Sequence, residues 1–145
     1  DRSGWAVAEA RWTYARLGLE GHAARGDAAT AALPRPPAGI LAAFTVNELP
    51  DDARRRLLSR LADAARAGSP VLVVEPISRR VSPWWPEWAA AFRAAGGRED
   101  EWRFRPALPP RLALLGKAAG LDTREVVGRS LFAGARIASG QREAP

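Results

Sequence analysis

Two stretches of the chain place apolar residues at helical spacing. Ser3 is a suitable N-cap for the first and Gly18 a suitable terminator. The apolar stripe of this first helix consists of Trp5, Ala8, Trp12 and Ala15. The second helix is capped by Asp51 or Asp52 and ends at Gly68. Its inward positions are Ala53, Leu57, Leu61 and Ala64. The pattern predicts two amphipathic helices, each with one buried side.

Short, continuous apolar runs alternate with these helices and have the length of buried strands. One run covers Gly39–Phe44, and the other, Val71–Val74, is closed by Glu75 and Pro76, where proline removes a backbone donor. The segment Gly21–Arg25 is a weaker strand candidate. Strand, helix and strand in this order make a right-handed crossover unit. The pattern predicts an α/β fold in which helices cover both faces of a mostly parallel sheet.

The last third of the chain indicates a change in strand direction. Residues 79–110 form an aromatic-rich insertion, and a helix follows around Leu112–Ala119. Two strand-like runs, Glu125–Val127 and Leu131–Ile137, are separated by Gly128-Arg129-Ser130, which suits a hairpin in an antiparallel closing pair. The sequence therefore predicts a mixed sheet with an antiparallel last strand.

Length and composition permit one domain and exclude several kinds of site. A chain of 145 residues, 47% of them hydrophobic, can bury one core. It has no cysteine and a single histidine, His22, so thiolate chemistry is excluded and no metal site is expected. No apolar run reaches the ~20 residues that span a bilayer, and no secretion signal is recognisable. We therefore expect a cytoplasmic protein with no membrane partner.

Short polar motifs stand at four points in order along the chain. They are Asp1-Arg2-Ser3-Gly4-Trp5, Gly26-Asp27, Phe44-Thr45-Val46-Asn47-Glu48-Leu49-Pro50 and Val73-Val74-Glu75-Pro76. In this order they resemble class I S-adenosylmethionine-dependent methyltransferases, which carry an acidic residue after strand two, an Asp after strand three, a polar motif after strand four and an antiparallel last strand. The Asn47–Asp51 and Val74–Pro76 runs are similar to those of methyltransferase-like proteins associated with the small ribosomal subunit, including mitochondrial members and bacterial relatives.

The resemblance implies S-adenosylmethionine as the cofactor and a set of residues that bind it. It gives the ribose hydroxyls to Asp1 and the adenine amino group to Asp27. The implied cofactor-binding residues are Asp1, Arg2, Gly26, Asp27, Ala28 and Thr45. Two simpler interpretations stay open: Asp1 favours the dipole of the helix that follows it, and Asp27 forms an Asx-turn after Gly26.

The stretch Thr45–Glu48 lies where open sheets bind ligands, beyond the carboxyl end of a strand. As the candidate catalytic residues, Asn47 would orient a substrate amine or hydroxyl and Glu48 would take its proton. The alternative is that Asn47 is a turn residue and Glu48 enters the next helix and pairs with an arginine. Glu75 either borders the same cleft or is buried at its strand end and held by backbone donors.

Aromatic residues and arginines alternate within the insertion, which we interpret as a substrate lid. Trp102 and Phe104 could stack on bases while Arg103 and Arg105 neutralise phosphates. The alternative for these four residues is an edge strand with one buried face. A helical packing stripe is the alternative for Trp85, Trp88, Phe92 and Ala95.

The net charge of +6 and the sequence pI near 11.2 come almost entirely from arginine, because Lys117 is the only lysine. This balance favours RNA or the small ribosomal subunit as a partner. The alternative is a GC-rich coding bias that places arginine on ordinary solvated surfaces.

We expect residues 1–145 to be a partial class I methyltransferase domain. The chain has no methionine, and its first residue, Asp1, already belongs to the first of the polar motifs. Class I sheets have the strand order 3-2-1-4-5-7-6, and neither strand one nor the glycine-rich loop after it precedes Asp1, so the rest of the protein is expected upstream. The implied activity is methyl transfer to RNA or a ribosomal component. The alternatives are a non-catalytic ribosome-associated or assembly protein, a small-molecule methyltransferase and a nicotinamide-dependent dehydrogenase.

Overall fold

Helices and strands alternate along most of the chain in the computed structural model, which describes residues 1–77, 82–120 and 125–134. The helices are α1 (Gly4–Leu17), α2 (Asp51–Arg66), α3 (Trp85–Ala94) and α4 (Pro110–Ala118). The strands are β1 (Ile40–Ala43), β2 (Val71–Glu75), β3 (Arg98–Phe104) and β4 (Val126–Ala133). Among these helices, none combines the length and the apolar character that a bilayer crossing requires.

The four strands form one mixed sheet in the order β1-β2-β4-β3. β1 pairs with β2 in parallel, whereas β4 is antiparallel to both β2 and β3. The α/β class and the antiparallel last strand are therefore confirmed for the described residues. The expectation of a mostly parallel sheet is wrong, since two of the three pairs of neighbouring strands are antiparallel. Three of the four strands, β1, β2 and β3, nevertheless run in the same direction.

The predicted hairpin at Gly128-Arg129-Ser130 is wrong, because β4 continues through these three residues. Gly128 is needed there for a different reason: a Cβ at this position would overlap the ring of Trp102 on β3. Glycine inside a strand here marks a close approach rather than a turn. Residues 135–137 of the predicted run lie outside the described part of the chain.

The core lies on one face of the sheet, beneath α2 and α3. The strands contribute Ala42, Val71, Val73, Leu131 and Ala133, and the helices contribute Leu57, Leu61, Trp85, Trp88 and Phe92. On the opposite face Leu41 is 66% exposed, and Leu72 and Phe132 are only partly buried. The prediction that helices cover both faces is therefore wrong for the described residues, since the opposite face of β1 is open to solvent.

The ends of α1 are those predicted, but its buried side is not. The Ser3 hydroxyl accepts a hydrogen bond from the Ala6 amide, and Gly18 takes the left-handed conformation that ends the helix. The predicted apolar stripe faces solvent, with Trp5 74% and Trp12 62% exposed, while Val7 is the buried residue of the helix. Helical periodicity identifies a stripe, but the side that is covered depends on which elements lie beside it.

The aromatic residues of the predicted insertion belong to the core and to the sheet. Trp85, Trp88 and Phe92 are buried on α3, as the packing interpretation predicts. The Trp102–Phe104 stretch lies on β3, an edge strand of the sheet, as the edge-strand interpretation predicts. The buried face of that interpretation is wrong, because Trp102 is only partly buried and Phe104 is 50% exposed. A lid role for residues 79–110 stays a prediction.

Candidate functional site

A groove of about 1060 Å³ separates β1 from the chain segments around Asp1 and Gly26. One wall is formed by residues 1–2, 24–28 and 31–33, and the other by β1 and the residues that follow it. The floor includes Leu57 and Leu61 of α2. The groove therefore lies at the carboxyl end of β1, where open α/β sheets bind ligands.

Two backbone hydrogen bonds hold the first wall of the groove together. The amino nitrogen of Asp1 donates to the Ala24 carbonyl (3.2 Å), and the Gly26 amide donates to the Asp1 carbonyl (2.9 Å). This is the hydrogen-bond pattern of one rung between parallel strands, with Asp1 opposite Arg25. Neither residue belongs to a strand, so the predicted strand at Gly21–Arg25 is wrong.

The carboxylates of Asp1 and Asp27 are oriented in the same way. Oδ1 of Asp1 accepts from the Ser3 amide (2.7 Å), and Oδ1 of Asp27 accepts from the Ala29 amide (2.8 Å). Both are Asx-type bonds to the residue two positions on. The Asx-turn interpretation of Asp27 is thus confirmed. It leaves Oδ2 of each carboxylate without a partner among the described hydrogen bonds, and so able to accept from a ligand.

Arg60 ties the Asp27 turn to α2. Its Nη1 donates to the Ala29 carbonyl (2.6 Å) and its Nη2 donates to the Ala31 carbonyl. A planar guanidinium can make both bonds at once, which a lysine ammonium does less well. The position of the first wall therefore depends on an arginine that lies outside the predicted inward positions of α2.

The second wall contains a strained residue at the end of β1. Phe44 has φ 52°, a left-handed conformation that is uncommon for a residue other than glycine. Its amide donates to the Val74 carbonyl (2.9 Å), and its ring is 61% exposed on the groove. Such a conformation persists only where the surrounding structure offsets its energetic cost. Residues of this kind are concentrated at active sites and ligand-binding sites. Thr45 and Glu48 follow on the same wall.

Asn47 faces away from the groove into a network of donors and acceptors. Its Nδ2 donates to Oε2 of Glu75 (2.7 Å), and its Oδ1 accepts from the Trp84 indole nitrogen (3.0 Å). Oε1 of Glu75 accepts from the Val46 amide (2.8 Å). Asn47 is not among the residues that line the groove, whereas Glu48 is. The two candidate catalytic residues therefore do not face the same space.

Glu75 is fully buried at the end of β2, as the second of its two interpretations predicts. Burial raises the pKa of this carboxyl above its ordinary value, and hydrogen bonds from the 45–47 backbone together with the charge of Arg129 oppose that rise. The sequence shows an acidic residue at a strand end, but it carries no signal for the Trp84 and Asn47 partners, which are distant in the chain.

Arg129 lies opposite Glu75 in the sheet and is also buried. Its guanidinium stacks 4.0 Å from the centre of the Trp85 ring. Burial lowers the pKa of Arg129, and the nearby carboxylates of Glu99, Glu101 and Glu75 oppose that shift. Among the described residues, its Nε and Nη2 have no hydrogen-bond partner. The strand end thus holds alternating charges, with Glu75 and Glu101 on either side of Arg129.

The groove brings together the residues predicted from three separate segments to bind the cofactor. All six line it: Asp1, Arg2, Gly26, Asp27, Ala28 and Thr45. Over residues 1–77, 82–120 and 125–134, no three His, Cys, Asp or Glu side chains are grouped as a metal site. No protein-family model and no curated protein matches this sequence.

Proposed function

We propose that the groove binds S-adenosylmethionine and that the chain belongs to a class I methyltransferase domain acting on RNA or a ribosomal component. The observation that supports this most is the convergence of Asp1, Asp27 and Thr45 on one groove. These residues come from three segments of the chain, and the order of the motifs predicts them without any information on their distances in the fold. The groove volume, about 1060 Å³, slightly exceeds the roughly 300–1,000 Å³ of small-molecule sites.

The strand order supports the same proposal. In the expected order 3-2-1-4-5-7-6, the last four strands run 4-5-7-6, and strand seven is antiparallel. The sheet has the order β1-β2-β4-β3, in which β4 is last in sequence, lies between β2 and β3 and is antiparallel to both. In the class I order, strands two and three are also neighbours. The parallel hydrogen-bond pattern between Asp1 and Arg25 agrees with this, because these residues stand at the predicted positions of those two strands.

The residues on the groove suit the parts of this cofactor. The free Oδ2 of Asp1 would accept from the ribose hydroxyls, and the free Oδ2 of Asp27 would accept from the adenine amino group. The cofactor supplies an activated methyl group, so the protein contributes mainly binding and orientation. Glu48, exposed on the same groove, is the nearer candidate for taking a proton from an acceptor.

Isothermal titration calorimetry on the complete natural protein tests the cofactor site. Asp1→Ala and Asp27→Ala should each weaken S-adenosylmethionine binding by about tenfold or more, because a hydrogen bond to a charged group contributes ~1.5–3 kcal/mol. Asp63→Ala, which removes an exposed carboxylate of α2 paired with Arg66, is the matched control. Affinities within about twofold of the parent for both variants, or tighter binding of a nicotinamide dinucleotide, would contradict the assignment.

A second candidate is a protein that keeps this fold and binds without methyl transfer. It is favoured by the Asn47 side chain, whose amide is held by Glu75 and Trp84 and does not line the groove. Transfer of labelled methyl groups to total RNA and to small ribosomal subunits separates the two. Cofactor binding without transfer to either would favour the non-catalytic candidate.

A further inference from the structure

Helix α4 turns an apolar surface to solvent. Leu112, Leu114 and Leu115 are 52%, 68% and 63% exposed, whereas Gly116 is the buried residue of the helix. At about 100° per residue the three leucines span roughly 160° of the helix circumference. A helix of a globular protein usually buries such a stripe, and here the stripe is open.

The charged residues in the stretch of sequence that contains α4 have one sign. From Trp102 to Gly120 the sequence contains four cationic residues and no acidic one. Arg111 and Lys117 lie on α4, are exposed, and take part in none of the ion pairs between described residues. A partner that covers the leucines therefore has to approach two uncompensated positive charges.

We propose that the α4 surface, formed by Leu112, Leu114, Leu115, Arg111 and Lys117, docks an acidic amphipathic helix of a partner protein. The leucines match the apolar stripe of such a helix, and the two cations match acidic residues that flank the stripe. The nine residues of α4 extend over about 14 Å, so the contact is short and suits a reversible complex. This inference does not depend on the proposed cofactor site.

Other occupants fit the surface less well. A second copy of the chain would bring the same cations face to face, since a twofold contact pairs a patch with itself. RNA would satisfy Arg111 and Lys117 but would leave the leucines without a stacking partner. A membrane would accept the leucines and the cations, but α4 offers no Trp or Phe at its surface and only three large apolar side chains.

The experiment measures binding of the 145-residue chain to a synthetic helical peptide with leucines at i, i+3 and i+7 and flanking glutamates, using fluorescence anisotropy. We expect Leu112→Ser with Leu115→Ser to weaken binding at least about tenfold, because two apolar side chains lose their burial. Leu17→Ser, at an equally exposed leucine of α1, should leave it unchanged. Circular dichroism of each variant checks that these exposed substitutions leave the fold intact.

Charge reversal gives a second, independent readout. Arg111→Glu with Lys117→Glu should abolish binding of the acidic peptide and create binding of the same peptide with lysines in place of its glutamates. The proposal is overturned if a scrambled peptide of equal composition binds as well as the helical one. It is also overturned if the leucine variants bind normally, or if anionic phosphatidylserine vesicles or an RNA oligonucleotide bind in an α4-dependent manner while the peptide does not.

Discussion

At the residue scale, Glu75 accepts hydrogen bonds from two groups that can only donate toward it. The Val46 amide reaches Oε1, and the Asn47 amide nitrogen reaches Oε2 because the Trp84 indole fixes the orientation of Asn47. A carboxylate satisfies both donors, whereas an amide would place its own N–H₂ against one of them. The site therefore requires a carboxylate rather than merely a polar side chain.

We expect Glu75→Gln to lower the free energy of unfolding by ~1–3 kcal/mol, because one buried donor loses its acceptor. Adding Trp84→Phe should recover about 1 kcal/mol relative to the sum of the two single changes, since Asn47 is then free to turn its oxygen toward the new amide. Urea denaturation of the parent, both single variants and the double variant measures the coupling.

Glu87→Gln, on the exposed part of α3, is the matched control and should change stability little. Strict additivity of Glu75→Gln and Trp84→Phe would show that the orientation of Asn47 is not set by the indole.

At the scale of elements, Arg60 connects α2 to the turn that begins at Asp27. We expect Arg60→Lys to raise the hydrogen-exchange rates of the Thr30 and Ala31 amides, which donate to the Asp27 carbonyl in that turn. Loss of the two-pronged contact should free the turn while the α2 core positions stay buried. Exchange measured by mass spectrometry at peptide resolution detects the change.

Arg56→Lys supplies the comparison for this prediction, because Arg56 makes an exposed ion pair with Asp52 on the same helix. Equal exchange rates in the 27–31 segment for both variants would mean that the turn is held by its own Asx bonds alone.

Local signals predicted the elements well where a single residue determines an end. Ser3 and Gly18 bound α1, and Glu75 closes β2, because capping and strand termination depend on neighbouring backbone groups. The predicted capping of α2 by Asp51 or Asp52 is wrong, because Pro50 is the N-cap residue and both aspartates lie in the first turn of the helix. The sequence pattern does not predict the full length of β3, since the run of charged residues before Trp102 resembles a solvated segment. Pairing with β4 forms that strand, and the sequence pattern does not contain this distant partner.

For the candidate site too, local motifs were predictable from the sequence and contacts between distant residues were not. Motif order selected the residues that line the groove, but it paired Asn47 with Glu48, which the fold separates. The Asn47–Glu75 contact joins residues 28 positions apart, and the Asn47–Trp84 contact joins residues 37 apart. Such contacts depend on how the helices and strands pack together, so they cannot be predicted from the spacing of residues along the chain.

At the scale of the whole molecule, the net charge of +6 bears on the proposed RNA acceptor. Phe104 is 50% exposed, and it stacks on Trp102 with ring centres 5.5 Å apart, so one ring face can still receive a base. Arg105 is exposed next to it, and Arg103 pairs with Glu125 (3.3 Å).

We expect RNA binding by the complete protein to weaken as salt rises, because each neutralised phosphate releases a counterion. Arg103→Ala with Arg105→Ala should reduce the slope of log K against log salt by ~1.4, which is ~0.7 for each lost contact to a single strand. The control is Arg56→Ala with Arg66→Ala, an equal loss of charge on α2. A slope that both double variants change equally would indicate a diffuse effect of net charge rather than a contact at β3.

The place of β4 in the sheet also determines when the protein can fold during its synthesis. β4 is the last described strand to leave the ribosome, yet it separates β2 from β3 and pairs with both. Until residues 126–133 have emerged, β3 has no neighbour in the sheet and α3 has only part of the surface beneath it. From the time that α3 emerges until β4 does, the nascent chain therefore exposes Trp85, Trp88 and Phe92, and apolar surface exposed in this way makes a nascent chain prone to aggregation.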